Sequence, residues 1–298
     1  MNALATAPAP SLAEPPQFRP LQVEDLIGKL PPLPPAFQIL PKLLAVLDDH
    51  KADCNALAEI IRIDANLTAS VLRVSNSAHY AAHAPTHSLS EAVVRLGMRE
   101  VYRLLISIVT APTLRGPDGA AFGHIDLWNH SLATAVASQV LAERLTKEDP
   151  EIAFSAGLLH DIGKTVLIRA DRKRYVSLLR SCADNNRSVR FAEWEIFGMD
   201  HAEVGGELLR AWKFPERMAA IVAGHHRPET TAKEHRPLAA LVCFGNIIAY
   251  KLGVGNGHPP YVAQPDRDNL HTIGLKLENL SAYDEEILQR LKHEQDRL

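Results

Sequence analysis

Cysteine is scarce in this 298-residue chain: Cys54, Cys182 and Cys243 are far apart, odd in number and in no CxxC arrangement. That pattern excludes a disulfide framework and a cysteine-built zinc clip, and it reads as reduced, mostly buried thiols in a cytoplasmic protein. Long apolar runs are also missing. The first twenty residues are rich in Ala and Pro and lack both a basic start and a hydrophobic core, so residues 1–20 are expected to be a disordered, solvated tail, not a signal peptide or membrane anchor. Charge of one sign is not in excess: 32 Lys and Arg against 35 Asp and Glu leave a net charge of -3, which gives no global reason to seek nucleic acid or an anionic membrane. No stretch combines period-two alternation with a hairpin turn, and no internal repeat is evident, so no strand is expected.

What is present is helical spacing. A composition 46% hydrophobic and 22% charged is that of a globular protein. Ordered structure is expected to begin near Leu21, with Pro31 to Pro35 as a rigid extended connection. Ile39, Leu40, Leu43, Leu44 and Leu47 then make one apolar stripe, and Leu57, Ile60 and Ile61 begin another. Asp64 or Asn66 offers a cap for a helix carrying Leu67, Val71, Leu72 and Val74. Ser88 or Ser90 caps the next, with Ala92, Val93, Val94 and Leu96, before Gly97 breaks it and 101–108 resumes. Thr113 to Gly123 looks like a boundary or long connection. Beyond it, helices are expected over 127–145 (long and amphipathic), 152–160, 172–182, 191–197, 201–212, 215–223, 238–252 and 284–291. The expected fold is all-α: residues 21–115 form an N-terminal helical module, 116–255 a second one, and 256–298 an extension with one helix. Trp128, Trp194 and Trp212 are expected to pack in the second core.

Chemistry concentrates in the second module. Leu158-Leu159-His160-Asp161-Ile162-Gly163-Lys164 joins an apolar helical pattern to an adjacent imidazole and carboxylate, a donor pair suited to Fe, Mn or Zn. His130, His201, His225 and His226 lie on or at the ends of separate predicted helices, as a bundle-core metal site requires. His124, His235, His258, His271 and His293 are less distinctive. Asn129, Asp200 and Glu203 are local candidates to hold a second ring nitrogen. Lys164 is placed to bring an ammonium to a phosphate oxygen, and the implied chemistry is metal-assisted hydrolysis.

Each of these residues also has a plainer explanation. His160 and Asp161 can be a hydrogen-bonded pair at a helix end that Gly163 terminates, with Lys164 complementing the dipole. His130 can be a satisfied core histidine, and Asp200 can cap the helix beginning at His201, which is compatible with ligation. A surface helix terminus explains His225 and His226 as well as ligation does. Arg95, Arg99 and Arg103 recur every four residues, but Gly97 divides them, so a solvated, salt-bridged face is favoured over a nucleic-acid stripe.

The order of these motifs resembles a known family. His130, then His160-Asp161-Ile162-Gly163-Lys164, then Asp200-His201-Ala202-Glu203-Val204-Gly205, then Gly224-His225-His226 is similar to the HD superfamily of metal-dependent phosphohydrolases. With the helical module ahead of it, the stretch from about Leu21 to Leu252 resembles an HDOD domain, a signalling relative of those enzymes. The resemblance implies that His130, His160 and Asp161 match ligands of a first metal and His201, His225 and His226 those of a second, one or two divalent ions of Fe, Mn, Zn or Mg in all. It also exposes a departure. Asn246 stands where HD enzymes close the first site with an aspartate, and a neutral amide oxygen weakens metal binding without excluding it. The Gly-Tyr-Pro signature of cyclic di-GMP phosphodiesterases does not follow His226. The resemblance therefore implies a non-catalytic bacterial signalling module that works through a protein partner, with a metal-dependent phosphohydrolase as the alternative; oligomeric state is left open.

Overall fold

In the computed structural model, the described residues are 35–48, 52–77, 80, 85–116, 126–254, 267–276, 279 and 281–298. The expected tail, the 31–34 part of the proline connection, the 117–123 part of the boundary, His124 and His258 lie outside them. Among the described residues all regular structure is helical, as expected. A 3-10 turn, Pro35–Ile39, leads into α1 (Leu40–Asp48), α2 (Cys54–Ile61), α3 (Ala65–Ser75), α4 (Leu89–Leu96) and α5 (Met98–Arg115). Then come α6 (Leu127–Leu145), α7 (Pro150–Leu159), α8 (Ile162–Ala170), α9 (Arg172–Asn185), α10 (Val189–Phe197), α11 (His201–Ala211) and α12 (Glu216–Gly224). After a 3-10 turn at Pro228–Thr230, α13 (Arg236–Lys251), α14 (Arg267–Thr272) and α15 (Asp284–Arg297) complete the order.

The helix starts follow from local chemistry. Asp53, Asp64, Ser88, Asp126, Asp149, Asp171 and Asp200 each accept backbone N–H bonds at the first turn of the helix they precede. Gly97, at φ +83°, ends α4 and admits α5 directly behind it. The latter helix runs further than its spacing suggests, through Pro112 to Arg115. Val94 departs from the expected stripe and is exposed, whereas Ala92, Val93 and Leu96 are buried.

Helices α1 to α5 pack on one another, and α5 also lies against α6, α7 and α8. The centre of the second half is α6, which α7 and α13 flank. Expected to be amphipathic, α6 is instead buried on every face from His130 to Ala142, because neighbours cover it all round. Close approach is built in: a Cβ on Gly245 of α13 would lie 2.3 Å from the Ser138 hydroxyl and 2.9 Å from the Thr134 carbonyl oxygen of α6. Buried apolar residues from Phe37 to Leu291 form one continuous cluster, and the Phe37 and Trp212 rings meet edge to face at 5.1 Å across it. Trp128 is buried as expected, but Trp194 is 60% exposed, because nothing among the described residues covers its side of α10. Of the cysteines, Cys182 is buried and Cys54 and Cys243 are half-buried.

Candidate metal centre

The second-half helices deliver their ends to one buried point. His130 sits on the first turn of α6, His160 closes α7, Asp161 opens α8, His201 opens α11, His225 and His226 close α12, and Asn246 lies on α13. All are buried except His226, which is half-buried. Gly163 does not terminate a helix; it lies inside α8. A Cβ there would fall 2.0 Å from the His201 carbonyl oxygen and 2.6 Å from the Gly205 nitrogen, so only glycine lets α8 touch the backbone of α11. The Gly of the His160 motif and the Gly of the His201 motif are thus two sides of one contact.

Within that point, His130, His160 and Asp161 form one group whose potential ligand atoms lie within 4.8 Å of one another, and His201, His225 and His226 form a second. Asp161 joins them. Its Oδ2 lies 3.7 Å from His130 Nε2 and 3.5 Å from His160 Nε2, while its Oδ1 lies 3.2 Å from His201 Nε2. Across the second group, His226 Nε2 and His201 Nε2 approach to 2.9 Å. Lys164 does not project toward open space. It is buried, and its ammonium donates to Asp161 Oδ2 at 2.6 Å.

Three rear nitrogens are held by backbone carbonyls. Nδ1 of His130 meets the Val254 carbonyl at 2.9 Å, Nδ1 of His160 the Gly157 carbonyl at 2.7 Å, and Nδ1 of His225 the Val222 carbonyl at 2.7 Å. A carbonyl only accepts, so each Nδ1 carries the proton and each Nε2 keeps a lone pair. Nε2 of His130, His160 and His225, and Oδ1 of Asn246, are buried with no hydrogen-bond partner among the described residues. Orphaned inward-facing donors with held rear nitrogens are what a metal ion requires, so the residues fit one.

Burial keeps the imidazoles of His130, His160, His225 and His226 neutral. Burial lowers His130 and drives His160 and His226 well below the ordinary histidine range. It also brings His225 to about 4, helped by His201. Burial alone would raise Asp161, but the groups packed against it, His160, the Lys164 ammonium, His201 and His130, together hold it well below the usual carboxylate range. Lys164 is raised although burial opposes it, because Asp161 lies against it.

His201 is held differently. Its Nδ1 donates to Glu193 Oε2 at 2.5 Å, and its backbone N–H reaches the same oxygen at 3.0 Å. Glu193 is fully buried on α10, and its Oε1 accepts from the Tyr175 hydroxyl. None of the three local candidates plays this part. Asp200 and Glu203 form a capping box at α11, and Asn129 bonds Asp126 and Gln295. Glu193 stands eight residues before His201 on another helix, which also carries Arg190 and Glu195, so nothing in the local sequence singled it out. The surface-terminus explanation for His225 and His226 fails, since His225 is fully buried. Arg95, Arg99 and Arg103 are salt-bridged to Glu91, Asp149 and Glu100, as the plainer reading had it.

Comparison with known proteins agrees with the helical fold. An uncharacterized protein of Treponema pallidum (strain Nichols) is 28% identical over 245 residues, which is 82% of this chain and 46% of that protein, so the chain spans about half the length of that relative. A crystal structure of an HDOD domain protein of unknown function from Geobacter sulfurreducens superposes with a TM-score of 0.72 at 24% identity, covering 90% of this chain and 95% of that one. A Shewanella amazonensis protein, provisionally named a phosphohydrolase, gives 0.65 at 26% identity over 90% and 93% of the two chains. The HDOD domain family model matches residues 30–228. With two thirds of its length under that match and the helical fold to go with it, the chain belongs to the HDOD domain family.

Proposed function

We propose that this protein is a regulatory HDOD module whose buried centre binds metal but turns over no phosphate ester, and that it acts through contacts with another protein. The observation that carries the reading is the Lys164 ammonium on Asp161 Oδ2, inside a centre where His130, His160, Asp161, His201 and His225 are all at most 2% exposed. A hydrolase needs its central carboxylate and its cation within reach of substrate. Here the protein's own cation occupies that carboxylate, and Asn246 adds no second negative charge. His130, His160, Asp161, Asn246, His201, His225 and His226 are the residues that would hold one or two ions. A bound divalent ion would supply Lewis acidity there; the chain's own residues hold the imidazole lone pairs inward and exclude water.

The protein-partner part of the reading is supported by α10. Phe191 and Trp194, three residues apart on that helix, are 57% and 60% exposed. No helix among the described residues is long and apolar enough to cross a membrane, which is consistent with a partner in solution. A Phe191→Ser, Trp194→Ser double variant is expected to lose a partner that the native chain retains from lysate of its own cells; retention by the variant would remove this surface from the account.

The second reading is a phosphohydrolase, favoured by the provisional name of the Shewanella amazonensis relative and by the half-buried edge of His226. Turnover of bis(4-nitrophenyl) phosphate by metal-supplemented protein separates the two. The regulatory reading expects a rate no different from that of Asp161→Ala. Turnover that Asp161→Ala abolishes would establish the enzyme.

A further inference from the structure

The two halves of the centre are not equivalent. On the side of His130 and His160, the Asp161 oxygen they face, Oδ2, already accepts from the Lys164 ammonium at 2.6 Å, and the remaining donor, Asn246, is neutral. On the other side, Asp161 Oδ1 lies 3.2 Å from His201 Nε2, three imidazoles converge, and a carboxylate, that of Glu193, stands behind His201. A carboxylate behind an imidazole fixes its tautomer and makes its free nitrogen a stronger donor; a backbone carbonyl does this with less charge. Glu193 is itself fixed, by Tyr175 on one oxygen and the His201 backbone N–H on the other.

We infer that the chain is a one-metal protein: a single divalent transition-metal ion binds to His201, His225, His226 and Asp161 Oδ1, with Glu193 as the positioning residue of His201, while the Lys164 ammonium takes the second cation's place beside His130 and His160. The inference rests on reading the centre as a metal site. Three imidazoles and one carboxylate oxygen are a donor set for Zn, Fe or Co rather than Mg. The close approach of His201 Nε2 and His226 Nε2, 2.9 Å, fits the same conclusion, because two nitrogens that close share either a proton or a cation.

Cobalt(II), whose visible bands report nitrogen coordination, is the probe. Chelator-stripped native protein titrated with it is expected to bind one tight equivalent. Glu193→Gln keeps an acceptor but loses the charge, so it should weaken that equivalent by about 10- to 100-fold while the metal-free protein keeps its unfolding midpoint. His226→Ala should abolish tight binding and His130→Ala should leave it. Since buried-histidine variants can misfold, a gain is the second arm: Lys164→Gln combined with Asn246→Asp should acquire a second equivalent. Tight binding lost in folded His130→Ala but kept in His226→Ala, two matched equivalents in the native chain, unchanged affinity in Glu193→Gln, or no second equivalent in the double variant would each overturn the inference and leave the metal reading standing. If no cobalt binds to the native chain at all, the metal reading itself falls.

Discussion

Lys164 and Asp161 make a buried ion pair at 2.6 Å with every other charged or polar group of the centre arranged around it. Breaking such a pair from one side leaves an uncompensated charge in the interior, so Lys164→Met is expected to cost about 3–5 kcal/mol. Urea unfolding of the metal-free protein measures this, and saturating zinc should restore part of the loss by binding the native state alone. Gly163→Ala tests the backbone contact beneath the pair. Its Cβ has no room against the His201 carbonyl oxygen, and the colliding atoms are main chain, so a loss of about 3 kcal/mol or more is expected in the same measurement. At this scale the sequence was informative about identities and silent about orientation. The histidines and Asp161 were recognisable from motif order, but nothing in Gly163-Lys164 tells that the ammonium turns back onto the carboxylate. Glu193 could not be seen because its partner lies on the far side of a turn.

Among the elements, α11 shows how a start signal and a site can share residues. Asp200 accepts from the backbone N–H groups of Ala202 and Glu203, Glu203 returns a bond to Asp200, and this box aims His201 inward. Asp200→Ala is expected to lower stability by about 1 kcal/mol, read as a drop in thermal midpoint, and to loosen His201. Caps and apolar spacing made most helices legible from sequence: Asp64, Ser88 and Asp200 mark real starts, and α6 and α13 lie close to where their spacing puts them. Two helices went unread: the short α14, in an extension expected to carry one helix and carrying two among the described residues, and α8. The latter follows α7 after a break of two residues, His160 and Asp161, and its glycine looks like a stop unless α11 is already in place. Burial was harder still, since Val94 and Trp194 fall on apolar patterns and face out; spacing says which residues share a face, not what covers it.

Across the whole molecule, α15 is the brace. Ile287 and Leu291 are buried, Glu286 pairs with Arg144 of α6, Asp284 with Lys251 of α13, and Arg297 with Glu100 of α5. The expected helix over 284–291 exists but runs six residues further, and those extra residues carry the contacts to α5. Where they meet, Glu294 and Glu151 are each raised to about 7, chiefly by burial, with Arg103 opposing in both; Glu151 also raises Glu294, while Asp149 and Glu143 raise Glu151. Arg99 and Glu100 on α5, Gln139 on α6 and Arg290, His293 and Arg297 on α15 face the same cluster. Because the folded values exceed the ordinary carboxylate value, the native state takes up protons, and stability falls as pH rises from about 4.5 to about 7. Amide exchange in α15, after correction for intrinsic rates, should therefore show less protection at pH 8 than at pH 5.5, and Glu294→Gln should flatten the difference. The contact between Gly163 and the α11 backbone has a wider consequence. Two of the most recognisable glycines in the hydrolase-like pattern are needed for helices to cross, whether or not a metal or a substrate is ever present. A chain that gave up hydrolysis would be held to the same letters by packing, and a search that scores those letters would go on naming it an enzyme.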